Sequence, residues 1–212
     1  DHSSGLVYYA GSNDGPYLLR RRIADPTSVD LDLTALISSL FSSYGIWGIA
    51  VDDSGAVYAS GGAPDAAFAF GGSPRIVKID PDSGSVLWTR TVNEANNFYG
   101  SGQTDGMHNG AGLFVASPRG TDGYKILKLD PATGNTLDHL GTYPDNPDAP
   151  DPEELRGPRR FIAVNNRKIH VIDDDGDDFN DARIVGFDNM GGEGWQSYGS
   201  YGSSEGQFFF YC

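Results

Sequence analysis

Cysteine is nearly missing from this chain. Its 212 residues include one thiol, Cys212, so no disulfide can form within the chain and stability must come from packing. Cys212 is either an unpaired thiol or an interchain bridge. Positive charge is also scarce. Fifteen Lys and Arg stand against 29 Asp and Glu, a formal net charge of −14. Such a chain repels phosphate backbones and anionic headgroups, which excludes nucleic acid as a partner. No run of about 18 apolar residues occurs, so direct membrane insertion is not expected. No stretch reads as a signal peptide. The first residue is Asp1 and not Met, so a processed or trimmed product is expected. Histidines are few: His2, His108, His139 and His170.

Turn formers are plentiful. Gly and Pro make up 41 of 212 residues, as many short strands require. "RIVKIDPDSGSVLW" (75–88) recurs 49 residues later as "YKILKLDPATGNTL" (124–137). Each copy has a strand alternating polar and apolar residues, a Pro-x-x-Gly turn and a second strand. "ARIVGFDNMGGEGWQSYGS" (182–200) repeats the order, with Trp195 read in the place of Trp88, and "YLLRRRIADPTSVDLDL" (17–33) is a worn copy. Another strand precedes each hairpin: "GLVYYAG", "GAVYASG", "GLFVASP" and "KIHVIDD", starting 50, 57 and 56 residues apart. Before two of these come "GIAVD" (48–52) and "FIAVN" (161–165). A four-strand unit at this period predicts an all-β fold, a β-propeller of four-stranded antiparallel blades.

Residues 44–92 and 159–208 resemble the NHL-type propeller repeat, and the "DPDSG" and "DPATG" turns are similar to those of quinoprotein propellers. The resemblance implies a single domain over 1–212 with about four blades. These are residues 5–33 plus 206–212, 44–92, 93–143 and 159–200. The closing blade is thus shared by both termini, with Phe208–Tyr211 pairing beside residues 5–33. Three segments depart from the pattern. Residues 93–111 lack a clear first strand, "TALISSLF" (34–41) predicts a short helix, and 143–158 holds five prolines and reads as a surface loop. In the hairpins, Ile76, Ile79, Ile126, Leu129, Ile184 and Phe187 are expected in the core.

The densest charge is "DDDGDDFND" (173–181), six Asp in nine residues. Like charges this close need a counter-charge, which hard cations supply through oxygen ligands. The stretch resembles the calcium loop of FG-GAP (integrin-type) blades. That resemblance implies Ca²⁺ held by Asp173, Asp175, Asp177 and Asp181 with the Phe179 carbonyl; a solvated acidic turn is the plain alternative. Amidating lyases of NHL type place metal-binding histidines on successive blades, which makes His108, in a predicted loop, a candidate ligand. Trp47, Phe68, Phe70, Phe98 and Tyr99 lie in or beside Gly-rich loops and are candidates for partner contact. The favoured reading is a non-enzymatic extracytoplasmic propeller (secreted, periplasmic or at the cell surface) that binds a protein or carbohydrate partner. Self-association, including through Cys212, stays open. The alternatives are a metal-dependent lyase or lactonase using the central channel, and a structural subunit of a cell-surface assembly or filament.

Overall fold

A computed structural model describes residues 5–11, 15–41, 46–52, 54–62, 74–91, 107–108, 112–116, 126–140, 155, 158–164, 169–173, 183–201 and 207–208. They form strands with one short helix. The first sheet holds β1 (Leu6–Gly11), β2 (Tyr17–Arg22) and β3 (Leu31–Asp32), in that order. Helix α1 (Thr34–Leu40) follows, as its sequence predicts. The second sheet is β4 (Ile46–Val51), β5 (Val57–Gly62), β6 (Pro74–Asp80) and β7 (Ser85–Thr91). The third is β8 (Met107–His108), β9 (Leu113–Ala116), β10 (Ile126–Leu129) and β11 (Thr136–Leu140). The fourth is β12 (Pro158–Val164), β13 (Ile169–Asp173), β14 (Arg183–Phe187) and β15 (Gln196–Tyr198). In these sheets strands adjacent in sequence are adjacent in space and antiparallel.

Strand alternation explains the packing. In the second sheet Val57, Ala59, Val77 and Ile79 share one face, and they join Leu18, Leu33, Ile37 and Phe41 in a buried cluster with the first sheet and α1. Tyr58 and Ile76 point the other way and meet Leu113, Val115, Leu127 and Leu129 of the third sheet. The third sheet's opposite face, with Phe114 and Ile126, packs on Ile169, Val171, Val185 and Phe187 of the fourth. Four sheets are therefore stacked face to face in chain order, with three apolar layers between them. A sheet covered on both faces reads as a nearly continuous apolar run, and "RIVKI" and "KILKL" have that character.

Some expectations are revised. Ile76, Ile79, Ile126, Leu129 and Phe187 are buried, but Ile184 is only half-buried. It lies on the face of the fourth sheet that no described sheet covers. Trp195 does not repeat Trp88. Gln196, and not Trp195, stands opposite Gly186 where Trp88 stands opposite Lys78. Trp195 therefore turns to the other face and stacks on Phe187, with ring centroids 5.9 Å apart. His108 lies in β8, the short first strand of the third sheet, and not in a loop. Of the C-terminal residues, β17 (Gln207–Phe208) pairs in parallel with β16 (Ser200–Tyr201). Residues 209–212 lie outside the described ones.

Candidate functional site

The repeated turn builds itself from its own side chains. Asp130 accepts hydrogen bonds from the Ala132 N–H at 2.9 Å and the Thr133 hydroxyl at 2.8 Å. Asp80 does the same with Asp82 and Ser83, and Asp25 with Thr27 and Ser28. These bonds hold the three carboxyls below their ordinary range: the Ala132 amide first for Asp130, the Ser83 hydroxyl first for Asp80, the Thr27 hydroxyl first for Asp25. Gly134 closes its turn with φ +74, a conformation that costs little only without a Cβ.

The turn of the third sheet is held by the second. The Pro131 carbonyl accepts from Trp88 Nε1 at 3.1 Å and Lys78 Nζ at 3.0 Å, with the Tyr58 hydroxyl 3.4 Å away. Arg90 donates to the Gly134 carbonyl at 2.6 Å and to the Thr136 hydroxyl at 2.7 Å. Behind this grip is a charged node. Asp52, 7% exposed, follows β4 and accepts from the Tyr58 hydroxyl at 2.7 Å, the Ser54 hydroxyl and the Ser54 and Ala56 amides. Lys78 Nζ lies 3.2 Å from its Oδ2 and 5.0 Å from the Tyr58 ring centre. Burial pulls the Asp52 carboxyl up. The hydrogen bonds from Ser54, Tyr58, Lys78 and Ala56 outweigh that and hold it at about 2. Burial and then the Asp52 carboxylate push the Tyr58 phenol well above its ordinary value.

Between the first and second sheets the equivalent position is open. A cleft of about 580 Å³ is lined by Leu6, Tyr8, Arg20, Val51, Pro81 and Leu87, among others. Arg20 is the counterpart of Lys78, since each faces the tyrosine of the preceding strand. It donates to Asp30 and to Asp82, both at 2.9 Å. Burial pulls the Arg20 guanidinium down, but its bonds to Asp82, Tyr8 and Asp30 outweigh that and leave it above its ordinary value.

Of the calcium candidates, Asp173 ends β13, fully buried, and accepts from Arg183 Nε at 3.0 Å. Asp175, Asp177, Phe179 and Asp181 lie outside the described residues. Trp47 is in β4, its side chain outside the described set, as are Phe68, Phe70, Phe98 and Tyr99 altogether. His170 is half-buried on β13 and His139 is exposed on β11. Among the described residues no group of three or more His, Cys, Asp or Glu is placed to hold an ion. Sequence reasoning missed Asp52, Tyr58, Lys78 and Arg20. The available signal was a basic residue at the same point of three hairpins, at 20, 78 and 128.

No family model and no curated protein matches this sequence. Solved structures do match. BamB from Moraxella catarrhalis superposes with a TM-score of 0.48 at 16% identity, over 87% of this chain and 48% of that one. The chain thus spans about half the length of that structure.

Proposed function

We propose that this protein is a non-catalytic, extracytoplasmic scaffold of propeller-type blades that binds a protein or carbohydrate partner. The observation that supports the reading is where its buried ionisable groups are used. Asp52, Tyr58 and Lys78 bond to one another and to the main chain of the next sheet, and Arg20 bonds to Asp30 and Asp82. Catalytic groups are poised towards a cleft where a substrate can sit; Asp52, Tyr58 and Lys78 instead lock one sheet to the next, and Arg20, at the wall of the cleft, is held by two carboxylates. Recognition then falls to surface side chains. Leu87, 52% exposed at the open cleft, is the described apolar residue best placed for it. No helix among the described residues is long and apolar enough to cross a membrane.

Binding is tested by titrating the immobilised chain against a glycan array and against fractionated surface proteins, alongside Leu87→Asp. Retention of one glycan class or one purified protein, weakened about tenfold or more by the substitution, is the expected result. Equal retention by both proteins would overturn the role of Leu87, and turnover of a bound molecule would overturn the non-catalytic reading.

The same proposal includes a structural calcium ion in the 173–181 loop, held by Asp173, Asp175, Asp177, Asp181 and the Phe179 carbonyl. Six carboxylates in nine residues support it, and oxygen-only ligands favour Ca²⁺ over zinc. With calcium at about ten times a Kd in the millimolar range, linkage adds about 1.4 kcal/mol of stability. The expected readout is a higher melting midpoint in calcium than in chelator.

A further inference from the structure

Between the second and third sheets one ammonium bonds two acceptors. Lys78 Nζ lies 3.0 Å from the Pro131 carbonyl and 3.2 Å from Asp52 Oδ2. Between the first and second sheets the acceptors are present without the ammonium. Pro81 holds the place of Pro131 in the repeated turn. It is buried and lines the cleft, and its carbonyl accepts no hydrogen bond among the described residues. Beside it, Asp82 accepts from Arg20 with Oδ1, while its Oδ2 bonds to no described residue. Arg20 stands where Lys78 does, but Asp30 and Asp82 draw its guanidinium to themselves. The carbonyl of a buried residue is normally bonded, so the cleft is short of a donor. Charge decides which kind. The charged residues lining the cleft are Arg20, Asp80 and Asp82, one positive against two negative, on a chain of net charge −14. A cation is drawn there and an anion repelled. Leu6, Val51 and Leu87 supply apolar wall, which suits the stem of a long basic side chain.

We infer that the cleft receives a lysine side chain of a protein partner, its ammonium bonding the Pro81 carbonyl and Asp82 Oδ2 and its stem lying along Leu6, Val51 and Leu87. The inference rests on the partner-binding reading above and chooses a protein over a carbohydrate. The template is the chain's own Lys78, held between a proline carbonyl and a carboxylate. A neutral sugar offers hydroxyls and draws nothing from the acidic wall. A free amine carries the cation but has nothing to lay on Leu87, which is 52% exposed; a peptide places an apolar neighbour of its lysine there. The cleft volume of about 580 Å³ is in the range of pockets that bury such a group.

The test is an NMR titration of the full chain with four probes: acetyl-Leu-Lys-Leu-amide, the same peptide with norleucine for lysine, butylamine and maltotriose. The backbone amides of Ser54, Gly55, Ala56 and Asp82 report the cleft. The lysine peptide should shift them saturably with a Kd of about 1 mM or tighter, and more weakly as salt rises. The norleucine peptide and butylamine should each bind about tenfold or more weaker, and maltotriose should leave these amides unmoved. Asp82→Asn should weaken the lysine peptide about fivefold or more, and Asp138→Asn, exposed on the third sheet's outer strand, should not. The comparison of probes needs no variant, so it holds even if a substitution disturbs the fold. Equal binding of the norleucine peptide would overturn the cation, and equal binding of butylamine would overturn the peptide source. A glycan or protein retained in the array experiment, with these amides unmoved by the lysine peptide, would overturn this inference and leave the partner-binding reading in place.

Discussion

At the junction between the second and third sheets, Trp88 stands opposite Lys78 and its ring covers Gly134. At the junction between the first and second sheets, Leu31 stands opposite Arg20, and the nearest atom to a Cβ built on Gly84 is 4.0 Å away. The backbone plan is the same at both places. Pro131 is gripped through its carbonyl by an indole and an ammonium; the Pro81 turn is reached by one guanidinium bonded to Asp82, which is 84% exposed on its side chain. One junction is filled and the other holds a cleft. Whether two repeats seal is thus decided by the side chain opposite the basic residue, and the hairpin leaves the choice open.

The strongest way to break the sealed junction is Asp52→Ala. It strips Lys78 of its counter-ion and the Ser54 and Ala56 amides of their acceptor, and loss of one partner in a buried pair costs about 3–5 kcal/mol. Chemical denaturation should show that loss, and Asp82→Ala in the open junction should not. Next come two glycines with matched backbones, φ +74 at Gly134 and +67 at Gly84. An alanine at either bears the left-handed strain of about 1–2 kcal/mol. Only at 134 does its Cβ also fall 2.9 Å from the Trp88 ring, which adds about 1–3 kcal/mol. Equal melting shifts for the two variants would remove the indole from the account.

Acid probes the same node without mutation. Asp52 titrates at about 2 in the folded protein and near 3.9 when unfolded. Its folded value is depressed, so its contribution is complete above about pH 4 and is lost as pH falls towards 2, amounting to about 2 kcal/mol. Asp52→Asn should flatten that part of the stability profile; an unchanged slope between pH 4 and 2 would assign the loss to other carboxylates. The smallest effect belongs to the open junction. Asp82→Ala removes a solvent-exposed ion pair and should cost less than about 1 kcal/mol, while freeing one Arg20 nitrogen at the cleft.

The sequence made the hairpins plain because their turn is a local device: Asp80 and Asp130 bond to residues two and three places on, so chemistry and spacing sit in one short word. The alternation read in these strands missed that both faces are covered, although apolar residues at adjacent positions such as Ile76 and Val77 carried that signal. What stayed hidden depends on partners distant in the chain. Ile184 has the same neighbours in sequence as Ile76, but no described sheet covers its face. Trp195 is one residue out of step with Trp88, a shift that moves a side chain to the opposite face of a sheet. The Asp52 node joins residues 52, 58, 78 and 131, no two of which form a recognisable motif.

The grip on Pro131 also sets an order in time. Its donors, Lys78 and Trp88, are made 53 and 43 residues before their acceptor, whereas each hairpin closes over about ten. Hairpins therefore form first on a growing chain, and the second sheet leaves the ribosome with its grip still open. Burial of the Trp88 indole reports arrival of the third sheet's turn and not the folding of the second sheet. A chain stalled before residue 131 should carry a finished second sheet and a solvent-facing tryptophan.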